Sequence, residues 1–64
     1  MSATPTFAGQ RVYCVEGYRS PFHPQLEVVR GTEYTVTTVA RNGNVEVDNQ
    51  GCWWLAERFR VVEP

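Results

Sequence analysis

The stretch Arg41-Asn42-Gly43-Asn44 stands between two alternating runs, YTVTTVA and VEVDNQ, and it constrains this chain more than any other feature. Asn-Gly is the preferred centre of a two-residue type I′ turn, because both central positions need φ > 0 and these residues reach it at least cost. Such a loop fixes the register of an antiparallel hairpin. It predicts Arg41 opposite Asn44, Ala40 opposite Val45, Thr38 opposite Val47 and Val36 opposite Asn49. One face then carries Tyr34, Val36, Thr38, Ala40, Val45 and Val47. The other carries Thr35, Thr37, Val39, Glu46 and Asp48, the polar side of a half-buried sheet. Val39 is the misfit: either it sits exposed beside Glu46, or a bulge near Thr37-Thr38 turns it inward, and the bulge is expected.

The hairpin belongs to a chain of 64 residues, enough for one domain and one small core. The composition, 42% hydrophobic and 20% charged, is that of a folded domain and not of a disordered tail. Six basic residues, all of them Arg, against seven acidic ones leave a net charge of -1 with no run of either sign. Nothing in that balance calls for an anionic partner. The opening MSATPTFA has neither the charged nor the apolar region of a secretion signal, and no segment approaches the roughly 20 apolar residues of a membrane span. A cytoplasmic protein is therefore expected, with residues 1–8 a flexible N-terminal segment, 9–62 the folded domain and 63–64 its C-terminal end.

Upstream, GQRVYCV reads as a strand with Val12 and Cys14 on one face and Tyr13 and Val15 on the other. The loop after it, EGYRSPFHPQLEVVRG, has two prolines and two glycines, which makes a helix improbable. Its Tyr18, Phe22, Leu26, Val28 and Val29 supply enough apolar surface to pack down on the domain. Downstream, CWWLAERFRVVEP reads as a strand at 52–55, one helical turn at 56–58 and a last strand at 59–62. The fold class that results is all-β. A small five-stranded SH3-like barrel with a long first loop and a short 3-10 turn before the last strand is expected, with an OB-type barrel as the alternative.

The strings GQRVYCV, RGTEYTVTTV and GCWWLAERFRVV, separated by a Pro-containing loop and a Gly-centred turn, resemble a group of short proteins from phages and proteobacteria. In that group a "G..V.CV" strand, a "G..YTV..V" strand and a "GW...RF" element recur in this order. The resemblance covers residues 9–62 and implies an SH3-like barrel and a phage or mobile-element origin, without implying a reaction. It places Trp54 in the group's tryptophan position and Arg58 and Phe59 in its "RF", while Trp53 is an addition of this chain. GQRVYCVEG also resembles the start of a KOW-type motif, whose glycine-rich continuation is missing here.

Trp53 and Trp54 are adjacent, so in an extended segment they point to opposite faces and only one is core. Trp54 is expected inside, against Phe59. Trp53 is either under the long loop or on the surface, where Trp53, Tyr13, Tyr18, Arg19, Phe22 and His23 form the candidate partner-binding set. No Ser or Cys has an evident base and orienting acid, so no catalytic residue is assigned and the chain is not read as an enzyme. Cys14, His23 and Cys52 lack a fourth ligand and the usual short spacing, so no metal and no cofactor is expected. Both cysteines are expected as free thiols.

The reading that results is a non-enzymatic protein-binding module, a phage or mobile-element protein acting on a host protein. Two other classes stay open. Tyr13, Trp53, Arg11 and Arg60 supply rings and charge for a nucleic-acid-binding barrel, although acidic residues are spread among them. Self-association through an exposed strand edge would make a homo-oligomer with no outside partner.

Overall fold

The computed structural model describes residues 3–62. The expected boundary at 63–64 lies outside them, as do Met1 and Ser2. Among the described residues the regular structure is all-β apart from one 3-10 turn. The strands are β1 (Arg11–Cys14), β2 (Tyr18–Arg19), β3 (Glu27–Val28), β4 (Glu33–Val39), β5 (Val45–Val47) and β6 (Phe59–Val61). The 3-10 turn, Ala56–Arg58, precedes β6 where the sequence predicts it. One antiparallel sheet has the order β5-β4-β1-β6, and β2-β3 is a separate two-stranded ladder. The sheets are not closed into a barrel. The strand expected at 52–55 is reduced to a single bridge between Val45 and Trp54.

The alternation of β1 is as expected, with Val12 and Cys14 buried and Tyr13 and Val15 half-buried. β1 pairs with β4 on one side, Val12 opposite Tyr34, and with β6 on the other, Cys14 opposite Phe59. The hairpin departs from the predicted register. The Ala40 N–H donates to the Asn44 carbonyl at 2.8 Å and the Gly43 N–H to the Ala40 carbonyl at 3.0 Å, so the loop has three residues, 41–43, instead of two. Gly43 alone takes positive φ, at 92°, and Asn42 uses its side-chain Oδ1 to accept the Asn44 N–H at 3.0 Å. A turn closed from Ala40 to Gly43 and ending in a glycine at positive φ is the usual three-residue hairpin loop. In the predicted two-residue turn the Asn44 N–H would have donated to the Arg41 carbonyl; in the wider loop the Asn42 side chain takes that place.

That change slides the pairing by one residue. Val39 stands opposite Val45 and Thr38 opposite Glu46, and a register shift between Val36 and Thr38 then brings Val36 opposite Val47. The bulge predicted at this place is present, and it turns Val39 toward the core while Thr38 becomes exposed. The positive-φ pair is found instead at Asp48 (49°) and Asn49 (59°), where the Gln50 N–H donates to the Val47 carbonyl at 3.1 Å. Both central residues at positive φ mark a type I′ turn. This turn sends the chain from β5 into 51–54.

The core comprises Val12, Cys14, Val28, Tyr34, Val36, Val45, Val47, Trp54 and Phe59. Val28 is the long loop's contribution to it, delivered because β2 and β3 form a ladder instead of an irregular excursion. Leu26 packs at its margin, but Phe22 and Val29 stay exposed. Phe59 pairs edge-on with Tyr34 at 6.1 Å and not with Trp54; the two rings meet on the core face across β1, which lies between β4 and β6. The buried Tyr34 hydroxyl accepts the Val29 N–H at 2.9 Å, so this ring enters the core without a stranded polar group. Residues 3–8, expected to be flexible, are held at several points: Ala3 accepts the Val61 N–H at 2.7 Å, Pro5 is buried, and Gln10 Oε1 accepts the Thr6 N–H at 2.7 Å.

Candidate functional site

Among the described residues Ser20 is the one polar side chain that is buried, and it organises the loop that carries two of the expected site residues. Its Oγ accepts the His23 N–H at 3.1 Å, its N–H donates to the Leu26 carbonyl at 3.0 Å, and the Leu26 N–H donates to the His23 carbonyl at 2.8 Å. A hydroxyl that caps a backbone N–H three residues on is a recurrent local turn. Here it ties residues 20–26 into a hydrogen-bonded projection from the β2-β3 ladder that carries Phe22, 87% exposed.

Opposite this loop lies the segment 51–54. Trp54 is its inward residue, 3% exposed, with its indole N–H donating to Gln50 Oε1 at 3.1 Å. Trp53 points the other way and is 51% exposed, so the surface position holds and the position under the long loop does not. Gly51, at φ 76°, donates its N–H to Glu46 Oε2 at 2.6 Å, which ties the segment to β5.

Between the loop and this segment runs an open groove of about 450 Å³, lined by Tyr18, Ser20, Pro21, Phe22, His23, Gly51, Cys52, Trp53 and Trp54. Its floor is a stack. The Tyr18 ring meets Trp54 edge-on at 6.5 Å, and the Arg58 guanidinium lies over the Tyr18 ring at 4.1 Å. Arg58 in turn donates to Glu16 Oε1 at 2.6 Å. Stacking between a cation and a ring that is itself packed on tryptophan fixes Tyr18 in place, since the planar guanidinium serves both contacts at once.

Four of the six candidate residues therefore share the groove: Tyr18, Phe22, His23 and Trp53. Tyr13 and Arg19 do not line it. Tyr13 sits in the outer face of the sheet, opposite Glu33 on β4 and Arg60 on β6. Arg19 pairs with Glu27 across the ladder at 3.3 Å, out in solvent. Sequence reasoning missed Ser20, Pro21, Gly51, Cys52 and the wall role of Trp54. For Ser20 a signal existed, since a serine three residues before His23 has the spacing of a side-chain-capped turn.

The groove's chemistry is sparse. No lining residue is an Asp, Glu, Lys or Arg. Cys14 and Cys52 are both free thiols. Cys52 Sγ donates weakly to the Trp53 carbonyl at 3.8 Å, and no hydrogen bond among the described residues joins it to an imidazole or a carboxylate. Cys14 is buried beneath the sheet, where burial pushes its thiol pKa up against the smaller opposing effects of a backbone hydrogen bond at Glu16 and the charge of Arg58. No group of three or more His, Cys, Asp or Glu side chains comes together to hold a metal among the described residues. No family model matches the chain, and no curated protein or solved structure does either.

Proposed function

We propose that this chain is a non-enzymatic protein-binding module that takes a partner segment in the groove between residues 20–23 and 51–54. The single observation that carries the reading is the exposure of Trp53 and Phe22 across a concave site of about 450 Å³. Large exposed rings beside a concave site are what interface hot spots consist of, and a domain with so small a core would otherwise bury them. No hydrogen bond among the described residues joins the groove thiol to a base or an acid, so binding has more support than turnover.

The SH3-like reading of the fold belongs to the same proposal. In its favour are a first strand that pairs with both β4 and β6, a long first loop closed by a ladder, a tight hairpin, and the 3-10 turn before the last strand. The resemblance to short phage and proteobacterial proteins suggests a host protein as the partner. Nucleic acid binding has less support. Arg11 is paired with Glu33 at 3.2 Å and donates to Thr35 at 2.9 Å, and Arg60 donates to the carbonyls of Glu57 and Phe59, so each would give up existing contacts to meet a phosphate. No helix among the described residues is long and apolar enough to cross a membrane.

The test is affinity capture with the wild type, Trp53→Ala and Thr38→Ala, the last altering an exposed threonine away from the groove. The module reading expects a protein retained by the wild type and Thr38→Ala and lost from a folded Trp53→Ala. Equal retention by all three would move the binding site elsewhere.

A further inference from the structure

The ends of the four-stranded sheet are not equally open. At β6 the Val61 N–H is taken by Ala3 and the Phe59 carbonyl by the Arg60 guanidinium at 2.7 Å, so that edge is covered. At β5 the Val45 N–H and carbonyl are both engaged by Trp54, at 2.8 and 2.7 Å. The exposed rim on this side is therefore the segment 52–54 itself. Because Trp54 turns both its backbone groups toward β5, those of Trp53 point away from it, by the alternation of an extended chain. Among the described residues the Trp53 N–H donates to nothing, and its carbonyl meets only the weak Cys52 thiol. This unpaired edge borders the aromatic groove.

Two of the nearby cations are paired, Arg58 with Glu16 and Arg19 with Glu27, and Glu46 accepts the Gly51 N–H. No Asp, Glu, Lys or Arg lines the groove, so a charged side chain entering it would lose water and find no counter-ion in its wall, whereas a neutral apolar one would lose nothing. The cation over one face of Tyr18 also disfavours a second cation on that ring.

Resting on the groove as the binding site, we infer that its occupant is an extended, uncharged peptide segment of a partner protein that adds alongside 52–54 as a further strand. Its backbone exchanges hydrogen bonds with the Trp53 N–H and carbonyl. Every second side chain, large and apolar, enters the groove between Trp53 and Phe22. Affinity then comes from the main chain and selectivity from neutrality and alternation.

The experiment selects a displayed library of random heptapeptides on the wild type, counter-selecting on Trp53→Ala, with Phe22→Ala as a second variant should the first fail to fold. Enriched peptides are then N-methylated one residue at a time, and the Trp53 amide is monitored by hydrogen exchange. Strand addition expects uncharged peptides with large apolar residues at alternate positions. N-methylation should cost about tenfold in affinity at residues that face Trp53, where an acceptor is left unpaired, and little at their neighbours. The Trp53 amide should become protected in the complex. Groove-dependent peptides that carry a fixed charge, or that tolerate N-methylation in both registers, overturn strand addition and leave the groove standing. No enrichment over the groove variants overturns both. A Trp53 amide whose protection rises with protein concentration in the absence of peptide makes a second copy of the chain the occupant and overturns the partner assigned here.

Discussion

The adjacent tryptophans offer the sharpest test of this architecture, because one step along the chain reverses the expected outcome of the same substitution. Trp54→Ala removes a ring that is 3% exposed, is packed edge-on against Tyr18 at 6.5 Å and is hydrogen-bonded to Gln50. Truncating a buried tryptophan costs about 3–5 kcal/mol, and the lost ring pair is part of that cost. A domain of this size has roughly 3–10 kcal/mol in total, so Trp54→Ala should be largely or wholly unfolded. Trp53 is 51% exposed. If a tryptophan buries about 200 Å² when fully covered, half of that at about 25 cal/mol per Å² is about 2.5 kcal/mol, and a compact denatured chain lowers it to about 1.5–2. Trp53→Ala should therefore stay folded. Urea titration with far-UV circular dichroism as the signal reads both variants without relying on the fluorophore removed. Equal loss in the two variants, or a cost below about 1 kcal/mol for Trp54→Ala, would refute the assignment of inner and outer faces.

Three further expectations rest on single contacts. Gly43→Ala meets open space but places a Cβ at φ 92°, so it should cost about 1–2 kcal/mol in urea unfolding through backbone strain alone; no loss would mean that the three-residue loop is wrong. Arg58→Ala removes the stack on Tyr18 and the pair with the largely exposed Glu16, about 1 kcal/mol after allowance for solvent, and in the same titration Arg58→Lys should recover less than half because an ammonium cannot lie flat on the ring. Cys14, with its thiol pKa raised by burial, binds a proton more tightly folded than unfolded. Its contribution is complete below the ordinary thiol value of about 8.5 and is lost as pH climbs above it, so the alkaline fall in thermal stability should shrink in Cys14→Ala. In the same protein, iodoacetamide should label Cys52 faster than Cys14.

Much of the fold is local enough to be legible in the sequence. Tyr34, Val36, Val45 and Val47 sit on the face that period-two alternation assigns them, and the 3-10 turn occupies 56–58. The bulge was readable too, because a valine on the polar face of a small sheet has to be accommodated somewhere. The turn type was not. Asn42 can adopt either sign of φ at small cost, and its side chain accepts the Asn44 N–H that a two-residue turn would have given to the Arg41 carbonyl. That choice displaced the predicted register by one residue beside the turn, and the bulge displaced it by a second one at Val36.

By itself, then, the sequence determined the features set by residue type and nearest neighbours: an all-β chain, the place of its hairpin, the opposed directions of Trp53 and Trp54, and thiols left unpaired. Tertiary structure alone decided which ring each buried ring meets, that residues 18–28 fold into a ladder, and that the loop at 20–23 comes to face 51–54. Those two stretches are distant in the chain and carry no shared periodicity. They meet because Tyr18 packs between Arg58 and Trp54, and a contact of three residues from three segments is set by the shape left over once the core is filled.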